Sequence, residues 1–355
     1  MLAQLEAEGF RNLEPLDWRP GAGSHLLLGG NGAGKTSLLE AAYCLATTRS
    51  FRAAQIADCV RHGEAAFHLR GEVETDRRTA LEVSWVEGTR VRRVNGKATP
   101  LSEHLAVLPV VAWTTAEAEV LVGAPKARRR FLDRGVLGLR PAALEVLGRY
   151  REALQQKRGL LVRDETGIEI WNELLATLAA EVIGLRHQYV ERLKAELEQV
   201  IRASGLPLPP VSLAYRPSPA AGLEGAEAVA QSLERVAERE RRRQLPLLGP
   251  QRDDLEIVWE GHEIRRVASA GERKALSLLL LAAHGRVIES AGRQPLYLID
   301  DADAELAVPT LQAVWKVFSG ARQLLATSAR PQVWLGLDVG RIWEMERGRL
   351  IVLES

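Results

Sequence analysis

The sequence predicts an α/β chain: a head of mixed sheet plus an antiparallel lobe, split in sequence by an inserted α-helical arm. Three observations predict it. A glycine-rich turn joins a short apolar strand to a helix at 25–40. A second apolar strand, at 295–301, ends in two aspartates. Between them, from about Gly123, alternating residues give way to apolar spacings of three and four, the period of a helix. The expected division is 1–122 and 247–355 for the two parts of the head, and 123–246 for the arm.

The turn fits the phosphate-loop pattern, a glycine, four residues, then Gly-Lys-Thr. Leu26 to Leu28 read as the strand and Ser37 to Leu45 as the helix. Gly29, Gly30, Gly32 and Gly34 let the backbone curl so that N–H groups face phosphate oxygens, which side chains would block. The helix N-terminus adds partial positive charge. Lys35 is placed for the β- and γ-phosphates and Thr36 for Mg²⁺. The pattern implies a bound nucleoside triphosphate.

Composition narrows the rest. Forty-seven basic against 46 acidic residues leave a net charge of +1, so any nucleic-acid surface is a local patch. Cys44 and Cys59 have no metal-ligand spacing and suit a reducing compartment. The N-terminus lacks the basic and apolar regions of a signal peptide. The densest apolar run, Leu276 to Ala283, is too short for a bilayer. The expectation is a cytoplasmic protein with no membrane partner.

In chain order, Leu2 and Leu5 mark a strand, and Glu14 to Trp18 its return. Phe67 to Glu74, Thr79 to Val86 and Thr89 to Val94 read as antiparallel strands, with turns at Thr75-Asp76-Arg77 and Glu87-Gly88. Asn95-Gly96 is another turn. Leu108 to Trp113 is a further strand. Helices follow at Pro125 to Asp133 and at Pro141 to Val162. Ile168 to Ile201 carries one stripe: Trp171, Leu174, Leu175, Leu178, Val182, Leu185, Tyr189, Leu193, Leu197 and Val200. Such a helix spans roughly 50 Å, too long for a head element, and is read as one limb of the arm. Residues 211–216 suit a strand and 223–243 a second long helix. Leu255 to Glu260 and Ile264 to Val267 read as a strand pair around Gly261. A helix runs through Ile288, Leu324 to Ala326 form a buried strand, and Arg341–Glu346 with Arg349–Glu354 a final hairpin.

Pro295-Leu-Tyr-Leu-Ile-Asp300-Asp301 looks like a Walker B strand. Its apolar residues bury it and its end presents carboxylates. Asp300 is placed to bind Mg²⁺. Asp301 stands where an ABC-type ATPase carries the carboxylate that polarises the attacking water. Ser269-Ala-Gly-Glu272, about 30 residues earlier, looks like a degenerate ABC signature. There a serine hydroxyl and helix N–H groups form an anion site for the nucleotide of an opposite subunit.

Together these residues resemble the RecF family of bacterial recombinational repair ATPases over nearly the whole chain. The resemblance rests on Phe10-Arg-Asn-Leu13, the loop at 30–36, Leu38 to Ala41, Ser50-Phe-Arg52, Gln55-Ile56 and Val60-Arg-His-Gly63. It continues through Gly123-Ala-Pro-Lys126, Arg129, Phe131-Leu-Asp133, Gly249-Pro250, Asp253-Asp-Leu255 and Tyr297 to Asp301. It implies an ABC-type P-loop ATPase head like those of chromosome-maintenance ATPases, without a long coiled coil. ATP would be bound by Gly29, Gly30, Asn31, Gly32, Ala33, Gly34, Lys35, Thr36 and Ser37, and across a dimer by Ser269 and Gly271. Mg²⁺ would sit on Thr36 and Asp300, with Lys35 and Asp301 catalytic. It further implies an ATP-dependent homodimer and binding to single-stranded, gapped or junction DNA. Recombination mediator proteins would be partners in recombinase loading, DNA replication and the SOS response.

The chain departs from the family at three places. Ala270 replaces the signature arginine, Ala307 replaces the D-loop aspartate, and Thr115-Ala116 replaces a Pro-Glu pair. Two readings of function therefore stand: a weak DNA-dependent ATPase, and a nucleotide-gated DNA clamp that scarcely hydrolyses. Arg128-Arg129-Arg130 and Arg239 to Arg243 are equally suited to DNA phosphates or to solvated helix faces. Arg49 and Arg52, near the loop in sequence, suit either nucleotide or DNA.

Overall fold

The computed structural model describes residues 1–352 except 76, 115, 116 and 164. The expectations placed on Asp76, on Thr115 and Ala116, and on the last residues of the final hairpin lie outside the described residues. The first half holds β1 (Leu2–Glu8), β2 (Leu16–Trp18), β3 (Gly23–Leu28), α1 (Lys35–Thr47), β4 (Phe67–Glu74), β5 (Arg78–Val86), β6 (Thr89–Val94) and β7 (Lys97–Ala98). There follow α2 (Leu101–Val107), β8 (Val110–Trp113), α3 (Glu119–Val122), α4 (Pro125–Leu139), α5 (Ala143–Arg163) and α6 (Ile168–Ser204). Beyond these come β9 (Val211–Arg216), α7 (Ala226–Arg243), β10 (Asp254–Trp259), β11 (His262–Glu263), α8 (Ile264–Val267) and α9 (Ala270–Glu289). The chain closes with β12 (Leu296–Ile299), α10 (Val308–Lys316), β13 (Gln323–Ser328), β14 (Arg341–Glu346) and β15 (Arg349–Val352).

These elements form two compact units. The first takes residues 1–118, 197–207 and 269–355; the second takes 119–196 and 208–268. The first unit contains two six-stranded sheets. One is antiparallel, in the order β2-β1-β4-β5-β6-β7. The other is mixed, in the order β15-β14-β3-β13-β12-β8, and only its β14–β15 pair is antiparallel. β12 and β13 are buried along their whole length, which is why Leu296 to Ile299 and Leu324 to Ala326 read as apolar runs. Leu38, Leu39, Ala42 and Leu45 of α1 share one core with Leu5 and Phe67 of the antiparallel sheet and Leu298 and Leu325 of the mixed one. α9 is buried on nearly every face, so its sequence shows no polar stripe.

Two histidines are built into this unit as neutral side chains. His25 accepts a hydrogen bond at Nδ1 from Trp343 Nε1 (3.2 Å), and its Nε2 faces Gly21 O (3.2 Å). His104 places Nε2 2.7 Å from Leu45 O. Burial lowers the pKa of both rings.

The second unit differs from expectation. Residues 247–268, assigned to the head, belong here, because β10 pairs antiparallel with β9, from Asp254↔Arg216 to Trp259↔Val211. Ile264 to Val267, read as a strand, is the single-turn helix α8; only His262 and Glu263 pair with β10. The chain returns to the first unit at Ser269.

α6 spans 37 residues, about 55 Å. Leu175, Leu178, Val182, Tyr189, Leu193, Leu197 and Val200 of its stripe are buried; Trp171, Leu174 and Leu185 are half-buried. On that stripe lies Arg186, also buried. It binds Asp133 (2.7 Å) and Asp253 (2.7 Å), while Tyr215 donates to Asp253. Gly135 of α4 faces the Tyr189 ring so closely that a Cβ would overlap it. Lys157 and Glu240 form a second buried pair at 2.6 Å. Glu240 is thus a core partner and not a solvated neighbour of the 239–243 arginines.

Both neutral histidines generate a pH prediction. Their folded pKa values lie below the unfolded value of about 6.5, so unfolded chains bind more protons just below that pH. Their contribution is complete above about pH 6.5 and is lost as pH falls through the folded values. The thermal midpoint of the wild type should drop between pH 6.5 and 5, and a His25→Gln/His104→Gln double variant should show a shallower drop. An equal slope in both would remove the histidines as the cause.

Candidate nucleotide site

Four parallel strands deliver the site. Leu28 of β3 is level with Ser328 of β13, and Ile299 of β12 is level with Ala326 of β13 and Trp113 of β8. Their C-terminal ends therefore open on one edge of the sheet, where α/β folds bind ligands. The phosphate loop leaves β3 at that edge and runs into α1.

The loop glycines divide by what constrains them. Gly29 (φ 153°) and Gly34 (φ 109°) are held by the protein: a Cβ on Gly29 would collide with the Met345 carbonyl, and one on Gly34 would lie 3.0 Å from Met345 Cε. Gly30 and Gly32 face open space, but Gly32 keeps left-handed backbone (φ 78°) that a side chain would strain. Lys35 is buried, with Nζ donating to Gly29 O (2.8 Å) and Gly30 O (2.9 Å). Asn31 is exposed and Ala33 is buried. Ser37 donates to Asn12 Oδ1 (2.7 Å), and Asn12 Nδ2 donates to Gly32 O (2.9 Å), so β1's exit loop braces the phosphate loop.

Thr36 donates to Asp300 Oδ1 (2.9 Å). Thr327, at the end of the intervening strand β13, donates to the same oxygen (2.7 Å) and accepts from the Asp301 backbone N–H (2.8 Å). Burial is the main cause of a raised Asp300 pKa, with the threonine hydrogen bonds opposing it. A hydroxyl and a desolvated carboxylate side by side are hard oxygen donors that a small divalent cation would satisfy. Thr36 and Asp300 thus fit Mg²⁺. Asp301 is exposed and has left-handed backbone (φ 44°).

A cleft of about 470 Å³ adjoins the loop, lined by Arg11, Asn12, residues 32–37, Arg52, Asp58, Val60 and His62. Its basic wall is anchored on the fully buried Glu40. Arg11 donates to Glu40 twice (3.0 and 2.7 Å), Ser50 donates to it, and Arg52 lies 3.6 Å away. The Glu40 partnership raises the Arg11 pKa against the opposing effect of burial. Arg52 is therefore near the cleft, as its position after the loop allowed.

Ser269 and Gly271 are not brought to this chain's own loop cleft. Ser269 is the N-cap of α9 in a capping box: its Oγ accepts from Glu272 N–H (3.3 Å), and its own N–H donates to Glu272 Oε2 (2.8 Å). Gly271 lies under Glu305 O. Ala307 is the N-cap of α10 and supplies no side-chain cap. Of the basic clusters, Arg128 is committed to Asp254 (2.6 Å), Arg129 to Asp253 O (3.0 Å) and Arg241 to Glu169 (2.7 Å), while Arg130, Arg239, Arg242 and Arg243 are exposed.

Thr327, Asn12 and Lys274 were not singled out from sequence. Asn12 stands within the Phe10-Arg-Asn-Leu13 stretch and Thr327 follows the buried strand Leu324 to Ala326, while nothing in the sequence marks Lys274. Thr327→Val removes one donor to a buried carboxylate and the acceptor of the Asp301 N–H. It should destabilise the chain by about 1–3 kcal/mol in urea unfolding. A stability within error of wild type would show that these hydrogen bonds do not hold the strand end.

The RecF/RecN/SMC N terminal domain family matches residues 1–339. The chain is 33% identical to the DNA replication and repair protein RecF of Acidothermus cellulolyticus, covering 99% of this chain and 100% of the relative. It is 32% identical to that of Myxococcus xanthus, with 96% of each covered. A solved structure described as the recombination mediator protein RecF-ATP in the RecFOR pathway superposes with a TM-score of 0.88 at 24% identity, over 99% of this chain and 97% of that one. An Smc head bound to the C-winged helix domain of ScpA does so at 0.59 and 16%, over 99% and 98%. At these identities the two structures establish the fold, of mixed α/β build.

Proposed function

Because this chain belongs to the RecF family, we propose that it is an ATP-dependent DNA-binding protein of DNA replication and recombinational repair. The observation that carries the reading is the 2.9 Å hydrogen bond between Thr36 and Asp300, residues 264 apart in sequence. It joins a phosphate loop to a carboxylate-tipped strand, the two halves of a nucleoside triphosphate site.

In this reading the N–H groups of 29–37 wrap the β- and γ-phosphates and Lys35 moves its ammonium from loop carbonyls to phosphate oxygens. Thr36 and Asp300 would hold Mg²⁺, which when bound would supply charge neutralisation at the phosphate oxygens. Asp301, exposed at the strand end, accepts a hydrogen bond from the attacking water and orients it. Ser269 and Gly271 of a second copy close over the γ-phosphate, so ATP favours the dimer and hydrolysis releases it. The dimer acts on single-stranded, gapped or junction DNA with recombination mediator proteins. Relatives named for DNA replication and repair, and for the RecFOR pathway, support the coarse assignment.

ATP turnover, measured with and without gapped DNA across protein concentrations, tests it. The rate per subunit should rise with concentration and with DNA and vanish in Lys35→Met. Turnover indifferent to concentration and DNA would overturn the dimeric mechanism.

The second reading is the nucleotide-gated clamp. Ala307 and Ala270 favour it, since both lie on the dimer-dependent half of the site. In that case Ala307→Asp should raise turnover several-fold; an unchanged rate would count against it.

A further inference from the structure

Lys274 lies one turn into α9, five residues after Ser269, and is buried. Its Nζ sits 3.4 Å from the centroid of the Trp113 ring and donates to the backbone carbonyl of Asp301 at 2.9 Å. A buried ammonium is costly unless something compensates it. Here the compensation is a ring face and a carbonyl, not a carboxylate in direct contact. Burial accordingly pushes the Lys274 pKa down to about 8, with Glu305 and Asp301 pulling the other way.

The surroundings fix that geometry from both sides. Trp113 Nε1 donates to Ser277 Oγ (2.8 Å), and Ser277 Oγ donates back to the Lys274 carbonyl (2.7 Å). The Trp113 carbonyl accepts from Asp300 N–H (3.0 Å). On the other side, Asp301 N–H is held by Thr327, and its carbonyl also accepts from Ala304 N–H (3.1 Å). Asp301 therefore keeps its left-handed backbone with one peptide group tied to β13 and the next tied to α9. Lys274 is the tie to α9.

We propose that Lys274 is a positioning residue that couples the N-terminal turn of α9 to the backbone of Asp301, so that occupation of Ser269 by the opposite copy's nucleotide sets the aim of this copy's own water-polarising carboxylate. The inference rests on the dimeric ATPase reading above and adds to it a route from one nucleotide to the other. Lys274 touches no reacting atom. It acts through the Asp301 carbonyl alone, and α9 transmits the movement as a buried, rigid helix.

The test is Lys274→Met, which keeps the length and apolar stem and removes the donor and the charge. Two readouts are taken on the full chain. The first is ATP hydrolysis, with KM and kcat separated, beside ATP affinity and thermal midpoint. The expected result is a kcat lowered about 10- to 100-fold with ATP affinity and midpoint held. A kcat equal to wild type, or a loss that tracks a lowered midpoint, overturns the proposal. The second is amide hydrogen exchange of residues 301–305, with and without ATP. In wild type, ATP should slow exchange there; in Lys274→Met that slowing should be lost while the phosphate loop is still protected. Loop and 301–305 protection both unchanged in the variant would overturn the coupling. A wild type without turnover would defeat the hydrolytic reading, and the exchange experiment would still decide the role of Lys274.

Discussion

The site depends on one strand being where it is. β13 lies between β3 and β12, and in parallel register with both it places Thr327 level with Leu27 of β3 and one residue beyond the level of Ile299, the end of β12. Through that threonine Asp300 and the Asp301 backbone are fixed against each other, and Thr36 reaches Asp300 from the far side. Shifting β13 by one residue would turn its side chains to the opposite face and dismantle the triad. The burial of β12 and β13 on both faces is what makes such a slip costly.

The parts of this arrangement legible in the sequence were those with local chemistry. Gly29 to Thr36 announce a phosphate loop because glycine tolerates the left-handed turns there, and Leu296 to Asp301 announce a buried strand with a charged C-terminal end. The alternation in 67–94 was equally plain. What escaped was pairing at a distance. Nothing in Val211–Arg216 and Asp254–Trp259 says that they lie side by side, so 247–268 was given to the head, and Ile264 to Val267, apolar at both ends, read as a strand. Lys274 was hidden for a related reason: a lysine five residues into a helix looks solvated until Trp113 is seen beneath it. Arg186 interrupted an apolar stripe in the same uninformative way.

The second unit sets buried ion pairs within its apolar core. Arg186 between Asp133 and Asp253, and Lys157 against Glu240, are ion pairs taken almost wholly out of water. Such pairs add little net stability over apolar residues of the same size, but losing one member costs several kcal/mol because the other is left buried and unpaired. Burial pushes the Asp253 pKa up while Arg186 pulls it back, and Arg186 itself is held above its ordinary value chiefly by Asp133. The network therefore ties α4, α6 and the β9–β10 sheet together. Asp133, Asp253 and Arg129 are among the residues that carry the family resemblance in this region. Packing electrostatics give these three residues a structural role.

Lys35 has a consequence for how the phosphate loop meets its ligand. Its ammonium already satisfies two carbonyls of the loop it belongs to. Under the proposed function, capture of a polyphosphate is an exchange reaction: hydrogen bonds to neutral oxygens are surrendered as stronger ones to charged oxygens form. The affinity reflects the difference between the two sets and not the sum of the new contacts. The same internal bonds keep the loop curled before anything arrives, so little ordering entropy is left to lose on binding.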